Sequence, residues 1–95
     1  WMNLEKSKKR IAKKVKMGFH GYPEIALEYF GATASSALEV AVTLVMEEGD
    51  EPLQERFSSE TDVRESEVIQ SALVKIIERS GAKTVSQKEG VSLLV

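Results

Sequence analysis

The chain has 95 residues, 42% of them hydrophobic, which suits one domain with a modest core and leaves no room for a second. It has no cysteine, which excludes a disulfide framework, a thiolate metal cage and a thiol nucleophile. The formal net charge of −2 conceals two opposed halves: residues 1–17 hold seven cations against one acid, a charge of +6, and residues 18–95 hold six cations against fourteen acids, a charge of −8.

The cations of the first half are Lys6, Lys8, Lys9, Arg10, Lys13, Lys14 and Lys16, with Glu5 the lone acid. Wound as a helix, this segment has only a narrow apolar stripe of Leu4, Ile11 and Val15, so it would dock lightly and keep its charges in water; its pattern leaves helix and extended chain both open. No apolar run follows it, and the longest near-continuous one, Val40 to Met46, is broken by Thr43, so neither a signal peptide nor a membrane span is expected and a cytoplasmic protein is. Gly18-Phe19-His20-Gly21-Tyr22-Pro23 reads as a loop carrying the single histidine.

Ile25, Leu27 and Tyr29 alternate with Glu24, Ala26, Glu28 and Phe30, and Leu38 to Glu47 alternates in the same way, which predicts a hairpin 24–30/37–47 across the loop 31–36. Pairing Phe30 with Ala37 puts Tyr29 opposite Leu38, Leu27 opposite Val40 and Ile25 opposite Val42, all on one face. That register also sets Glu28 opposite Glu39, a destabilising like-charge pair, so the lysine-rich segment is expected to fold over this outer face, within the chain or within a dimer. Gly49 to Pro52 breaks the chain, and Leu53 to Phe57 fits a short strand or one helical turn equally well.

Val68, Ile69, Ala72, Leu73, Ile76 and Ile77 form one stripe of a long helix, 63–80, with Asp62 and Glu65 as a capping box, Arg79 in its last turn and Gly81 as its C-terminal stop. The C-terminal end predicts a second strand pair, 83–86 and 91–95, turning at Gln87 to Gly90. Its apolar Leu93-Leu94-Val95 calls for burial in the sheet or pairing with a second subunit. The fold class expected is α+β in two layers: a mostly antiparallel sheet, built from the hairpin and the C-terminal strands, packed on one long helix, with a basic N-terminal segment before an acidic body, all as one domain, 1–95.

No reaction motif emerges. Glu28 and Glu39 would serve as an acid/base pair only in a cleft with further polar groups, and His20 has no partner in sequence; a dimer cleft joining His20, Tyr22, Glu28, Glu39, Asp62 and Arg64 is the enzymatic alternative. Clustered cations followed by Phe19, His20 and Tyr22 have the composition of a nucleic-acid contact through Lys6 to Lys16. Were Leu53 to Phe57 a strand, the order helix, three strands, helix would imitate a double-stranded RNA-binding domain, but Asp62, Glu65 and Glu67 stand where that fold needs cations.

Lys16 to Pro23, Tyr29-Phe30-Gly31, Thr61-Asp62-Val63-Arg64 and Gly81 to Val85 together resemble a family of small uncharacterised bacterial proteins, over roughly Ser7 to Val85. Longer members of that family continue into a tail rich in cysteine, histidine and proline that could hold a metal; this chain carries no such tail, and no metal function is carried over. The resemblance implies a bacterial, intracellular setting, adds no activity, and makes Asp62 and Arg64 a candidate site beside their sufficient roles as cap and ion-pair partner. The expected function is binding rather than catalysis, without a cofactor, by a homodimer with a protein or small-molecule partner; nucleic-acid binding ranks second and membrane binding is not expected.

Overall fold

The computed structural model describes residues 3–94. Helix α1 (Leu4–Lys16) is followed by strands β1 (Glu24–Gly31), β2 (Glu39–Val45) and β3 (Leu53–Ser58), a 3-10 turn (Val63–Glu65), helix α2 (Glu67–Ser80) and strand β4 (Thr84–Leu93). The four strands form one mixed sheet in the order β3-β2-β1-β4, with β1–β2 and β2–β3 antiparallel and β1–β4 parallel. Ile25, Leu27, Tyr29, Val40 and Val42 point to the face that α2 covers with Ile69, Leu73 and Ile77, and α1 adds Ile11 to the same core. The fold is thus α+β in two layers, with both helices on one side of the sheet.

The basic segment is a helix, and it does not fold over the outer face of the hairpin. It packs beside α2: Ile11 is buried, Ser7 sits against Ser71 with their hydroxyls 3.1 Å apart, and Lys8 and Arg10 reach Glu65 and Glu78. Asn3 caps its start by accepting from the Lys6 N–H, and Lys13, Lys14 and Lys16 in the last turn complement the helix dipole. Only Ser7 and Ile11 of the helix are buried, with Leu4 and Val15 half-buried, in keeping with its narrow apolar stripe.

The hairpin forms two residues out of the expected register. Tyr29 pairs with Val40, Leu27 with Val42 and Ile25 with Leu44, so β2 begins at Glu39 and not at residue 37. The reason is that the backbone of Ala37 is engaged elsewhere: its N–H donates to Asp62 Oδ2 and its carbonyl accepts from Val63 N–H at 2.8 Å. Leu38 donates to the Phe30 carbonyl and accepts from Ser59, which closes the loop just before the first strand pair, Phe30 with Glu39. Glu28 consequently faces Ala41, and Phe30 faces Glu39, so the predicted carboxylate clash does not occur. Each acid has its own partner. Ser92 Oγ donates to Glu28 at 2.7 Å with Lys88 behind it, while Arg56 pairs with Glu39 and lies over the Phe30 ring.

The long helix is also corrected. Asp62 caps only the 3-10 turn, accepting from the Arg64 N–H, and a new N-cap, Ser66, starts α2 by accepting from Ile69. Glu65 turns away to Lys8, so no capping box forms with Asp62. The buried stripe rotates accordingly: Gln70 and Val74, which face α1, join Ile69, Leu73 and Ile77, and Val68 is left in solvent. The far end is as expected, with Arg79 in the last turn and Gly81 in the left-handed conformation at φ 67°.

The segment 53–57 is strand, so the order helix, three strands, helix is realised, with β4 added beyond it and Asp62, Glu65 and Glu67 still at the second helix's start. The C-terminal strands do not pair with each other. A helix that follows β3 returns the chain to the end where β1 begins; Lys83 and Thr84 donate to the Pro23 carbonyl there, and β4 runs on parallel to β1. Gln87 to Gly90 is a bulge, because Leu27 pairs with Gln87 and Tyr29 already with Val91. Leu93 and Leu94 lie exposed at this edge strand, and Val95 lies outside the described residues.

Candidate functional site

α1 turns its charges outward on a built ridge. Lys6, Lys9, Lys13 and Lys16 recur at intervals of three, four and three residues, which places them on one helix face opposite the buried Ser7 and Ile11, and all four are exposed. Of the seven cations, Lys8 and Arg10 are in ion pairs, and the other five have no acidic partner among the described residues. The Glu65 carboxylate beside Lys8 raises that ammonium's pKa.

Beside the ridge, between α1, β4 and the 3-10 turn, opens a cleft of about 750 Å³. Lys8, Lys9 and Lys16 form one wall, Arg64 and Glu65 stand at its end, and Tyr29, Gln70 and Gln87 reach it from β1, α2 and β4. Tyr29 and Gln70 are 4% and 3% exposed, so only a small part of each could meet a ligand. Gln70 Nε2 donates to the Tyr29 hydroxyl at 3.2 Å and to the Val63 carbonyl at 3.1 Å. Burial pushes the Tyr29 phenol up, which keeps it a protonated donor.

Arg64 is aimed by Asp62. Its Nε donates to Oδ1 at 2.9 Å and its Nη2 to Oδ2 at 2.6 Å, a two-pronged pair to which the Arg64 and Ala37 backbone N–H groups are added. The Arg64 side chain, by its hydrogen bonds, holds the Asp62 carboxyl down at about 2. A group whose folded pKa is depressed from 3.8 stabilises the fold above the unfolded value, and that stability is lost as pH falls from about 4 through about 2. The side chain is 21% exposed, so solvent screening trims the contribution to about 1–2 kcal/mol. Asp62→Asn is expected to lose about that much at pH 7 and to flatten the decline between pH 4 and 2, read as the difference between wild-type and variant urea midpoints across pH; parallel pH curves would refute it.

Within one chain the six residues of the dimer-cleft alternative stand at separate places. His20 bonds through Nε2 to the Met17 carbonyl and through its N–H to Thr84 Oγ1, Tyr22 packs edge-on against Phe19, and Glu28 and Glu39 lie on the outer sheet face. Only Asp62 and Arg64 of that set come together, and Arg64 joins Lys8, Lys9 and Lys16 of the basic set in the new cleft. Arg10, Lys13 and Lys14 line a second groove of about 510 Å³ between the helices, floored by Ile11, Met17, Val74 and Ile77. Sequence reasoning missed Tyr29 and Gln70. The available signal was a glutamine inside the apolar stripe of α2 and a hydroxyl-bearing ring on the inward face of β1, two polar ends that a core must place.

Among the described residues no cluster of three or more His, Asp or Glu side chains could hold a metal ion, and no helix is long and apolar enough to cross a membrane. Comparison with protein-family models, curated proteins and solved structures gave no match to this chain.

Proposed function

We propose that this protein acts by binding, in the cytoplasm, and that its ligand is the phosphate backbone of a nucleic acid lying along α1. The observation that carries the reading is the ridge of Lys6, Lys9, Lys13 and Lys16, four cations on a docked and therefore fixed helix face with no intramolecular acid among the described residues. From Lys6 to Lys16 the helix rises by about 15 Å, which matches a run of about four phosphates on one strand of a duplex. Glu28 and Glu39 of the outer sheet face are paired with Lys88 and Arg56, and Glu65 and Glu78 beside α1 are paired with Lys8 and Arg10, which leaves the four ridge lysines without an ion-pair partner among the described residues. Contacts of this kind give affinity without sequence preference, because phosphates carry no sequence information. The test is anisotropy of labelled DNA and RNA across a salt series. Affinity is expected to fall with a log–log slope of about −3 to −4; no binding at 50 mM salt refutes the reading.

A second reading, homodimerisation, is favoured by one observation: Leu93, the last residue of β4, and Leu94 just beyond it are 59% and 44% exposed, at an edge strand with one side unpaired. A second copy pairing there would extend the sheet and cover both leucines. Sedimentation equilibrium is expected to show a dimer that Leu93→Lys converts to monomer, and a monomer at 100 µM protein, roughly where edge pairing of modest affinity saturates, would end this reading.

A further inference from the structure

The floor of the cleft beside α1 has unused hydrogen-bonding capacity of a defined kind. The Val63 carbonyl can only accept, so the nitrogen of the Gln70 amide faces it, and the same nitrogen lies 3.2 Å from the Tyr29 hydroxyl. Tyr29 therefore accepts from Gln70, and its own proton has no acceptor among the described residues. Gln70 Oε1 likewise receives no donor among them. Two side chains more than nine-tenths buried thus hold one uncommitted donor and one uncommitted acceptor in the lining of a cleft whose wall is Lys8, Lys9 and Lys16, with Arg64 and Glu65, paired to Asp62 and Lys8, at its end.

A phosphodiester alone satisfies the wall and fails the floor, since it carries no proton to donate to Gln70 Oε1. An apolar ligand fails both. A nucleotide satisfies both at once, because a base edge carries a donor next to an acceptor and the sugar carries a phosphate. The volume, about 750 Å³, is in the range of small-ligand sites. Lys9 and Lys16 belong to the ridge and to the cleft wall together, so a strand lying on the ridge passes the cleft mouth.

We infer that the cleft takes one unpaired nucleotide, its base edge on Tyr29 and Gln70 and its phosphate on Lys9 and Lys16. This rests on the proposed backbone binding by α1 and makes it selective for single strands or strand ends, because a paired base has its edge occupied.

The test combines calorimetry with the four ribonucleoside monophosphates and inorganic phosphate, and anisotropy with a single strand and a blunt duplex of equal length. Tyr29→Phe keeps the ring and its packing and removes only the proton donor. At least one monophosphate is expected to bind tenfold more tightly than phosphate, single strand is expected to bind more tightly than duplex, and Tyr29→Phe should weaken the monophosphate about fivefold and erase the preference. Gln70→Met, with the fold checked by its thermal midpoint, should do the same. Equal, salt-dependent binding of strand and duplex that ignores Tyr29→Phe would overturn the nucleotide cleft and leave the ridge standing. Tight monophosphate binding lost in Tyr29→Phe, with no polymer bound, would overturn the ridge and keep the cleft. Phosphate and monophosphates binding alike would overturn the cleft whatever the polymers do.

Discussion

Replacing Lys6, Lys9, Lys13 and Lys16 together by glutamine is expected to weaken binding of a nucleic acid by about 100-fold or more at 50 mM salt and to remove most of its salt dependence. Each lysine that neutralises a duplex phosphate contributes about 0.9 to the slope of log affinity against log salt, so four contacts give about 3.6, and the wild-type affinity should itself fall about 100-fold between 50 and 200 mM. The variant should keep its fold. All four side chains are exposed and none pairs with an acid among the described residues, so their removal changes stability by no more than about 0.5 kcal/mol. Lys75, Arg79 and Lys83 changed together to glutamine form the control, since they are exposed cations away from the ridge. A drop shared by both triple and quadruple variants would mean that net charge and not the ridge attracts the ligand.

The ridge was legible as a charge cluster and not as a surface. Composition marks the seven cations, but which of them remain free depends on Glu65 and Glu78, whose pairing with Lys8 and Arg10 joins residues 57 and 68 positions apart. Periodicity identified β1 and the C-terminal end of α2 because alternation, Arg79 and Gly81 are local signals. It could not settle the hairpin register: the side-chain period of a strand is two, and a slip of two residues leaves Ile25, Leu27 and Tyr29 on the same face, so every apolar pairing looks equally good. What distinguishes the registers is the hold of Asp62 and Val63 on Ala37, a contact between segments 25 residues apart. The same limit applies to β4, where Gly90 after Lys88-Glu89 has turn chemistry locally, and only the delivery of the chain to Pro23 by α2 makes it a bulge in a parallel strand. The Asp62–Glu65 spacing points to Asp62 as the cap of one long helix, whereas Ser66 caps α2, because the 3-10 turn Val63–Glu65 intervenes.

Gly31→Ala is expected to destabilise the fold by about 3 kcal/mol, lowering the thermal midpoint by about 15 °C. The cause is space and not backbone conformation: a Cβ on Gly31 would overlap the carbonyl oxygen of Ser36, a backbone atom that cannot rotate away. Nor can the connection recede. Thr33 and Ser36 bridge each other, Leu38 donates to the Phe30 carbonyl, and Ala37 is tied to Asp62 and Val63. Moving Ser36 therefore loosens Asp62, the group that aims Arg64 into the cleft, so surviving Gly31→Ala protein should also lose the depressed Asp62 titration and bind a monophosphate less tightly than wild type. Ala34→Ser, at an exposed position of the same loop, is the control and should change stability by no more than about 0.5 kcal/mol. A Gly31→Ala midpoint within about 2 °C of wild type would show that the loop is free to move, and the coupling from loop to Asp62 to cleft would then be wrong.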